Sequence, residues 1–304
     1  MSRIEIVEVG PRDGLQSEPE IVPTEVKAEF VQRSLNAGIK RMEVTSFVHP
    51  KLVPQMADAE ALLQQVPAPP DACFIGLALN EKGCERAIAA GVTEIGFVVV
   101  ASDTFNRKNQ RVSSEESLDT FHRMSEVGRA AGVPVSLTIS AAWGCPYEGF
   151  VDPDRVLDLM VRGLEARPSE IGLADTIGVA VPRATTALVS RVVAEAEGLP
   201  VRCHFHNTRN TGIANALAAA EAGATRLDAS TGGIGGCPFA PAATGNIATE
   251  DLLYALHHSG FETGVDLNSV VETALWLDGV MGKPVPSMLS RAGDFSFEPR
   301  NEAA

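Results

Sequence analysis

The feature that most constrains this chain is its beat. A short β-branched or apolar run is followed by a helix-like run, and the pair recurs eight times. The strand-like runs are Ile4 to Val9, Arg41 to Ser46, Cys73 to Leu79, Glu94 to Val100, Val135 to Ser140, Glu170 to Ala174, Val201 to His206 and Arg226 to Ala229. Helix punctuation lies between them. Pro23-Thr24-Glu25 opens a run that Gly38 closes, Ser114-Glu115-Glu116 opens one that ends at Ala131-Gly132, and Ala90-Gly91 ends another. Units of roughly 30 residues, with strands apolar enough for burial on both faces, predict a (β/α)8 TIM barrel with extra C-terminal helices. The barrel is expected over about 3–230, with a Gly-rich loop and C-terminal helices over 231–304. No linker separates a second domain.

Composition matters here for what it excludes. With 304 residues, 45% of them hydrophobic, the chain is long enough for one large barrel core. A formal net charge of −14 argues against nucleic acid or an anionic membrane as partners. An anionic substrate then needs a local basic pocket. No apolar run is long enough to span a bilayer, and no leader is expected before the first strand. Five scattered cysteines without a Cys-x-x-Cys pair suit reduced thiols, so a cytoplasmic location is expected.

In such barrels the chemistry lies at the C-terminal ends of the strands. Arg12, Asp13 and Gln16 follow the first strand, and Glu43 lies in the second. Asp175 follows the sixth, His204 and His206 end the seventh, and Cys237 and Asn246 follow the eighth. On a strand, spacing two turns both imidazoles to one face and leaves Cys203 and Phe205 on the other; on a helix the pair would diverge by roughly 200°. Asp13 adds a carboxylate and Asn246 a carbonyl oxygen. Such a mixed set suits Mg2+ or Mn2+, with Zn2+ open as an alternative. Taken singly, Asp13 also reads as a turn residue and Arg12 as a surface ion pair. The loop Gly232-Gly233-Ile234-Gly235-Gly236-Cys237-Pro238 has the freedom of a lid or a phosphate cradle, and its cysteine is suited to proton transfer on closure.

Several motifs carry a family resemblance. They are Val7-Glu8-Val9-Gly10-Pro11-Arg12-Asp13-Gly14-Leu15-Gln16, Thr45-Ser46-Phe47-Val48, Gly144-Cys145-Pro146-Tyr147-Glu148-Gly149, Ala174-Asp175-Thr176-Ile177-Gly178-Val179, Gly235-Gly236-Cys237-Pro238 and Gly245-Asn246-Ile247-Ala248-Thr249-Glu250-Asp251. Together they resemble the 3-hydroxy-3-methylglutaryl-CoA lyases, metal-dependent barrel enzymes with an Arg-Asp loop and a His-x-His strand. The resemblance implies cleavage of a 3-hydroxyacyl-CoA into acetyl-CoA and a keto acid, and assembly as a homodimer or larger. It places a divalent cation on Asp13, His204, His206 and Asn246, enolate stabilisation on Arg12 and proton transfer on Cys237. His204 is implied to share in proton transfer, and Glu43 and Asp175 to support the site.

The chain departs from the family at two loops. Asn207-Thr208-Arg209-Asn210 stands where Asp-Thr-Tyr-Gly is usual, and Ser140-Ala141-Ala142-Trp143 replaces a run of small residues. Arg209 and Trp143, with Gln16, are therefore expected to contact the substrate and set the acyl group. Arg107 and Lys108, in the basic stretch Asn106 to Arg111, are expected near the CoA phosphates. Two other activities share parts of this pattern. Claisen-condensing synthases carry the Arg-Asp loop and the histidines but have further C-terminal domains. Hydrolase barrels carry His-x-His after the first strand rather than on the seventh. A non-catalytic metal binder would be expected to lose Arg12 or Cys237.

Overall fold

The computed structural model describes residues 2–236 and 244–295. Eight parallel strands close into a barrel. They are β1 (Glu5–Glu8), β2 (Arg41–Ser46), β3 (Cys73–Leu77), β4 (Glu94–Val100), β5 (Val135–Ser140), β8 (Ile171–Asp175), β9 (Val201–Phe205) and β10 (Arg226–Ala229). The two short strands between β5 and β8, β6 (Gly144–Cys145) and β7 (Gly149–Phe150), form a separate antiparallel hairpin. β1 closes the ring by pairing with both β2 and β10.

The helices are α1 (Thr24–Asn36), α2 (Ala59–Gln65), α3 (Glu81–Ala90), α4 (Asp103–Gln110), α5 (Ser114–Ala131), α6 (Pro153–Leu164), α7 (Pro182–Glu195), α8 (Gly212–Glu221), α9 (Thr249–His258), α10 (Leu267–Met281) and α11 (Leu289–Ala292). Local chemistry sets their ends. Ser113 and Glu116 form a capping box at the start of α5, and Gly91 and Gly132 close α3 and α5 in the left-handed conformation. Among the described residues no helix is long and apolar enough to cross a membrane.

Between strands and helices lies one apolar shell, built from outward residues such as Ile6, Met42, Phe74, Phe97, Leu137, Leu173, Cys203 and Phe205. Each large side chain buried there contributes about 1.5–3 kcal/mol. The inside of the barrel differs from the expectation of strands apolar on both faces. Val7, Val9 and Ile75 form a small apolar cluster apart from this shell, and a second one gathers Leu15, Phe30, Ile234 and Leu277 under the first turn and α10. Most of the remaining lumen is ionic: Arg41, Glu43, Glu94, Glu170, Arg202 and Asp228 are all buried. Their bonds cross the barrel. Arg202 on β9 reaches Glu43 on β2 at 2.6 Å, and Arg41 on β2 reaches Glu170 beside β8 at 3.2 Å. Charges in a water-poor lumen are tolerable only when paired in this way.

Two further features concern the catalytic end. Within the basic stretch, Asn106 to Gln110 belong to helix α4, and residues 10–14 form a π-helical turn. In that turn the N–H groups of Asp13 and Gly14 both donate to the Val9 carbonyl, at 2.7 and 3.2 Å.

Candidate active site

The π-turn projects Arg12 and Asp13 from the end of β1, and such turns are frequent where backbone must present a functional group. Its position is fixed from below by Glu8, which is fully buried. One Glu8 oxygen accepts the N–H of Gly10 at 2.8 Å and of Thr231 at 2.9 Å. The other accepts the hydroxyls of Thr231 and Thr249, at 2.6 and 2.8 Å. Burial pushes the Glu8 carboxyl up in pKa, against these bonds, which lower it. A single carboxyl thus ties the Arg-Asp turn to the base of the Gly-rich loop and to α9.

Strand parity does what the sequence predicts for the two histidines. His204 and His206 lie side by side with ring centroids 5.1 Å apart, while Cys203 and Phe205 join the outer shell. Ligand atoms of Asp13, His204 and His206 all lie within 4.8 Å of one another. The Asn246 amide donates to Asp13 Oδ2 at 3.0 Å and to the Ile234 carbonyl at 3.1 Å. Two buried atoms at this cluster, His206 Nδ1 and Asn246 Oδ1, have no hydrogen-bond partner. A carboxylate, two imidazoles and orphaned acceptors are what a divalent cation needs, and the cluster fits one.

The electrostatics separate the two imidazoles. His204 Nδ1 lies 3.1 Å from Asp228 Oδ2; the carboxylate accepts, so this nitrogen carries the proton and Nε2 is left for a ligand. Burial alone would lower the His204 pKa, but the Asp228 bond and charge raise it. Burial, with His204 alongside, pushes His206 down to about 3, so it stays a neutral ligand at ordinary pH. Asp13 is held well below the usual carboxylate range: burial opposes, but Arg12 and the two histidines prevail.

Arg12 is clamped between two carboxylates. It donates to Asp13, and its Nε and Nη2 both donate to Glu43 Oε2, the former at 2.7 Å. The β2–β3 register shifts between Glu43 and Thr45, an irregularity of the kind that re-aims side chains beside active sites.

The other expected site residues fall in different places. Gln16 keeps a buried Oε1 without a partner. Asp175 accepts the N–H groups of Val179 and Ala180, each at 2.9 Å, and so braces the loop after β8. Arg209 donates to the carbonyls of Ile177 and Gly178, at 2.8 and 2.9 Å, and braces the same loop from outside. Trp143 packs on Phe205 at 5.4 Å, on the side of β9 away from the histidines. There it lines a crevice of about 270 Å³ with Phe150, Val179 and Val181. Arg107 is exposed and faces Asp103 and Glu116, while Lys108 sits 4.6 Å over the Tyr147 ring. Cys237 lies outside the described residues.

The stem of its loop is described. Gly236 bridges Thr244, the Gly245 N–H donates to the Gly235 carbonyl at 3.1 Å, and the Asn207 N–H donates to the Gly245 carbonyl at 2.6 Å. Gly235, at φ +106°, passes so close to Asn246 that a Cβ there would sit 2.6 Å from its amide nitrogen.

The sequence reading missed Glu8, Arg202 and Asp228 as site residues. Arg202 was findable in principle, because it shares the inward parity of His204 and His206.

The HMGL-like family model matches residues 3–276. The (R)-citramalyl-CoA lyase of Chloroflexus aurantiacus is 40% identical over 303 residues, covering 96% of each chain. The cytoplasmic 3-hydroxy-3-methylglutaryl-CoA lyase of Danio rerio is 43% identical over 289 residues, covering 95% of this chain and 86% of that one. Among solved structures, an HMG-CoA lyase from Acinetobacter baumannii in complex with coenzyme A and 3-methylmalate aligns with a TM-score of 0.91 at 37% identity, covering 98% of each chain. Matched along nearly its whole length, with its Arg-Asp turn and its His-x-His strand in place, this chain belongs to the HMGL-like family.

Proposed function

We propose that this chain is a divalent-metal-dependent lyase that splits a 3-hydroxyacyl-CoA between C2 and C3, giving acetyl-CoA and a keto acid. The carrying observation is the Arg12 guanidinium held directly against Asp13, the carboxylate of the three-ligand cluster. Asp13, His204 and His206 would hold the cation, with Asn246 adding Oδ1. This set suits Mg2+ or Mn2+, with Zn2+ as the competitor. When bound, the cation supplies Lewis acidity for substrate oxygen.

The chain's own residues supply the rest. Breaking C2–C3 leaves a carbonyl at C3 and negative charge shared between C2 and the thioester oxygen. Arg12, oriented by Glu43, is the donor for that charge, and a preorganised donor stabilises it without reorganisation. The proton given up by the C3 hydroxyl balances the one taken at C2. Cys237 is the expected donor to C2, and His204, its pKa raised by Asp228, is expected to share in proton transfer. Asp175 and Arg209 hold the loop beside the histidines. Arg107 and Lys108 on α4 are the cations offered to the CoA phosphates.

Two acyl groups compete, 3-hydroxy-3-methylglutaryl and citramalyl, which differ by one methylene. Each has support among the relatives, the first from 43% identity to a 3-hydroxy-3-methylglutaryl-CoA lyase and the second from 40% identity to a citramalyl-CoA lyase. One methylene is worth roughly 10–200-fold in kcat/KM. The experiment is acetyl-CoA release from each thioester by protein reconstituted with Mg2+ or Mn2+. Release from neither, or full turnover by metal-free protein in chelator, would overturn the proposal.

A further inference from the structure

Arg202 and His204 alternate along β9 and His206 follows at its end, so all three face the lumen. Arg202, two residues before His204, is buried. Its guanidinium spreads over three carboxylates. Nη2 donates to Glu43 Oε1 at 2.6 Å and to Asp228 Oδ2 at 2.8 Å, Nε donates to Asp228 Oδ1, and Nη1 donates to Glu170 Oε1 at 3.3 Å.

Two of these carboxylates also meet a site residue, Glu43 through its other oxygen and Asp228 through the oxygen it shares with Arg202. Glu43 Oε2 holds Arg12, and Asp228 Oδ2 faces His204 Nδ1. Arg12 and His204 therefore each stand one carboxylate away from the same guanidinium. Arg12 lies on a turn after β1 and His204 on β9, strands that are not neighbours in the barrel. Through Glu43 and Asp228, Arg202 links the two across the lumen.

We propose that Arg202 is a positioning residue that sets Arg12, through Glu43, and His204, through Asp228, so that the charge-stabilising guanidinium and the metal-ligand imidazole keep one fixed spacing. The idea rests on the roles given above to Arg12 and His204. The planar fork of arginine is what permits it. Two carboxylates on different strands are held at fixed angles by one rigid group, which an ammonium on a flexible stem does not reproduce.

The test is Arg202→Lys, which keeps the charge and loses the fork. Metal-free protein is titrated with Mn2+, and steady-state kinetics are measured on the same preparation. Weakening of Mn2+ binding by roughly 10–100-fold is expected, the scale for disturbing a ligand's outer partner. A fall in kcat of at least about tenfold is also expected, with KM within threefold, because Arg12 acts on charge that appears during reaction. A merely structural Arg202 would lower the melting temperature and leave both the Mn2+ Kd and the kcat of folded protein unchanged; that result overturns the proposal.

Should Arg202→Lys fail to fold, the cycle of Glu43→Gln, Asp228→Asn and the double variant reads the same link. Effects on Mn2+ affinity that multiply independently would also overturn it. The metal titration needs no turnover, so an error in the proposed reaction is distinguishable from an error in this assignment.

Discussion

The lower and upper halves of the barrel lumen use the same kinds of residue and end in opposite states. Below, Arg41, Arg202 and Arg226 are shared among Glu5, Glu94, Glu170 and Asp228 in bonds that span strands. Arg41 Nε is the one buried polar side-chain atom left without a partner among these residues. Above, Gln16 Oε1, His206 Nδ1 and Asn246 Oδ1 are all buried without partners. Each such atom costs about 1–3 kcal/mol. A closed network is a scaffold. The leftovers beside Asp13 and His204 are buried atoms that a divalent cation fits.

The contrast is broken most severely at Arg12. Arg12→Met is expected to cut kcat by roughly 10²–10³-fold, the scale for losing an oxyanion donor, and to leave the Mn2+ affinity of metal-free protein nearly unchanged. A parallel collapse of Mn2+ binding would show that the turn, not the charge, had been lost.

Asp228→Asn tests the boundary between the halves. It should weaken Mn2+ binding by roughly 10–100-fold, because His204 loses the carboxylate that fixes its ring. Unaltered binding would mean that the upper half orients His204 by itself.

Two carboxyls sharpen the comparison through pH. Burial would raise Glu43, but Arg12 and Arg202 bring it down to about 2 from 4.5. Its contribution to stability is therefore complete above pH 4.5 and is lost as pH falls toward 2. Glu250, which accepts the Gly232 N–H at the loop base, is pushed up by burial to about 7 from the same 4.5. Its contribution has the opposite sign, complete below 4.5 and lost as pH rises toward 7. In urea unfolding, the stability difference between wild type and Glu250→Gln should change as pH rises from 4.5 toward 7, the other buried groups cancelling in the difference. A difference that stays constant between pH 4.5 and 7 would remove this role for Glu250.

The smallest effect is expected outside the lumen. Reversing the charge of Arg107 and Lys108 should raise the KM for acyl-CoA by roughly two- to fivefold, in keeping with exposed charges, and added salt should shrink the difference. An unchanged KM would show that α4 does not meet the phosphates.

The barrel and the juxtaposition of His204 and His206 were legible in the sequence because each rests on a period. The β-α beat located all eight barrel strands, and spacing two placed His204 and His206 together. The ionic lumen was not legible, because a charge alternating along a strand looks the same whether it faces water or the barrel axis. Only closure of the ring reveals that Glu43 and Arg202 meet across it. Helix α4 was hidden by its composition, since Asn106-Arg107-Lys108-Asn109-Gln110 has no apolar stripe to announce a helix. Trp143 and Arg209 were visible as departures from the family. Which way they face depends on Phe205 and on two backbone carbonyls, and no local pattern encodes those.

The paired stem under Cys237 has a consequence for how such an enzyme diversifies. Gly235, Gly236, Thr244 and Gly245 are fixed to each other, and Gly245 to Asn207, so residues 237–243 begin and end at one anchored neck. The entropy of closing a segment between anchored ends grows only with the logarithm of its length, about 0.6 kcal/mol per doubling. Insertions or exchanges at the tip are therefore nearly neutral for folding, while the neck keeps Asn246 in register with Asp13. What constrains that segment is then the proton transfer proposed for Cys237, not the folding of the barrel beneath it.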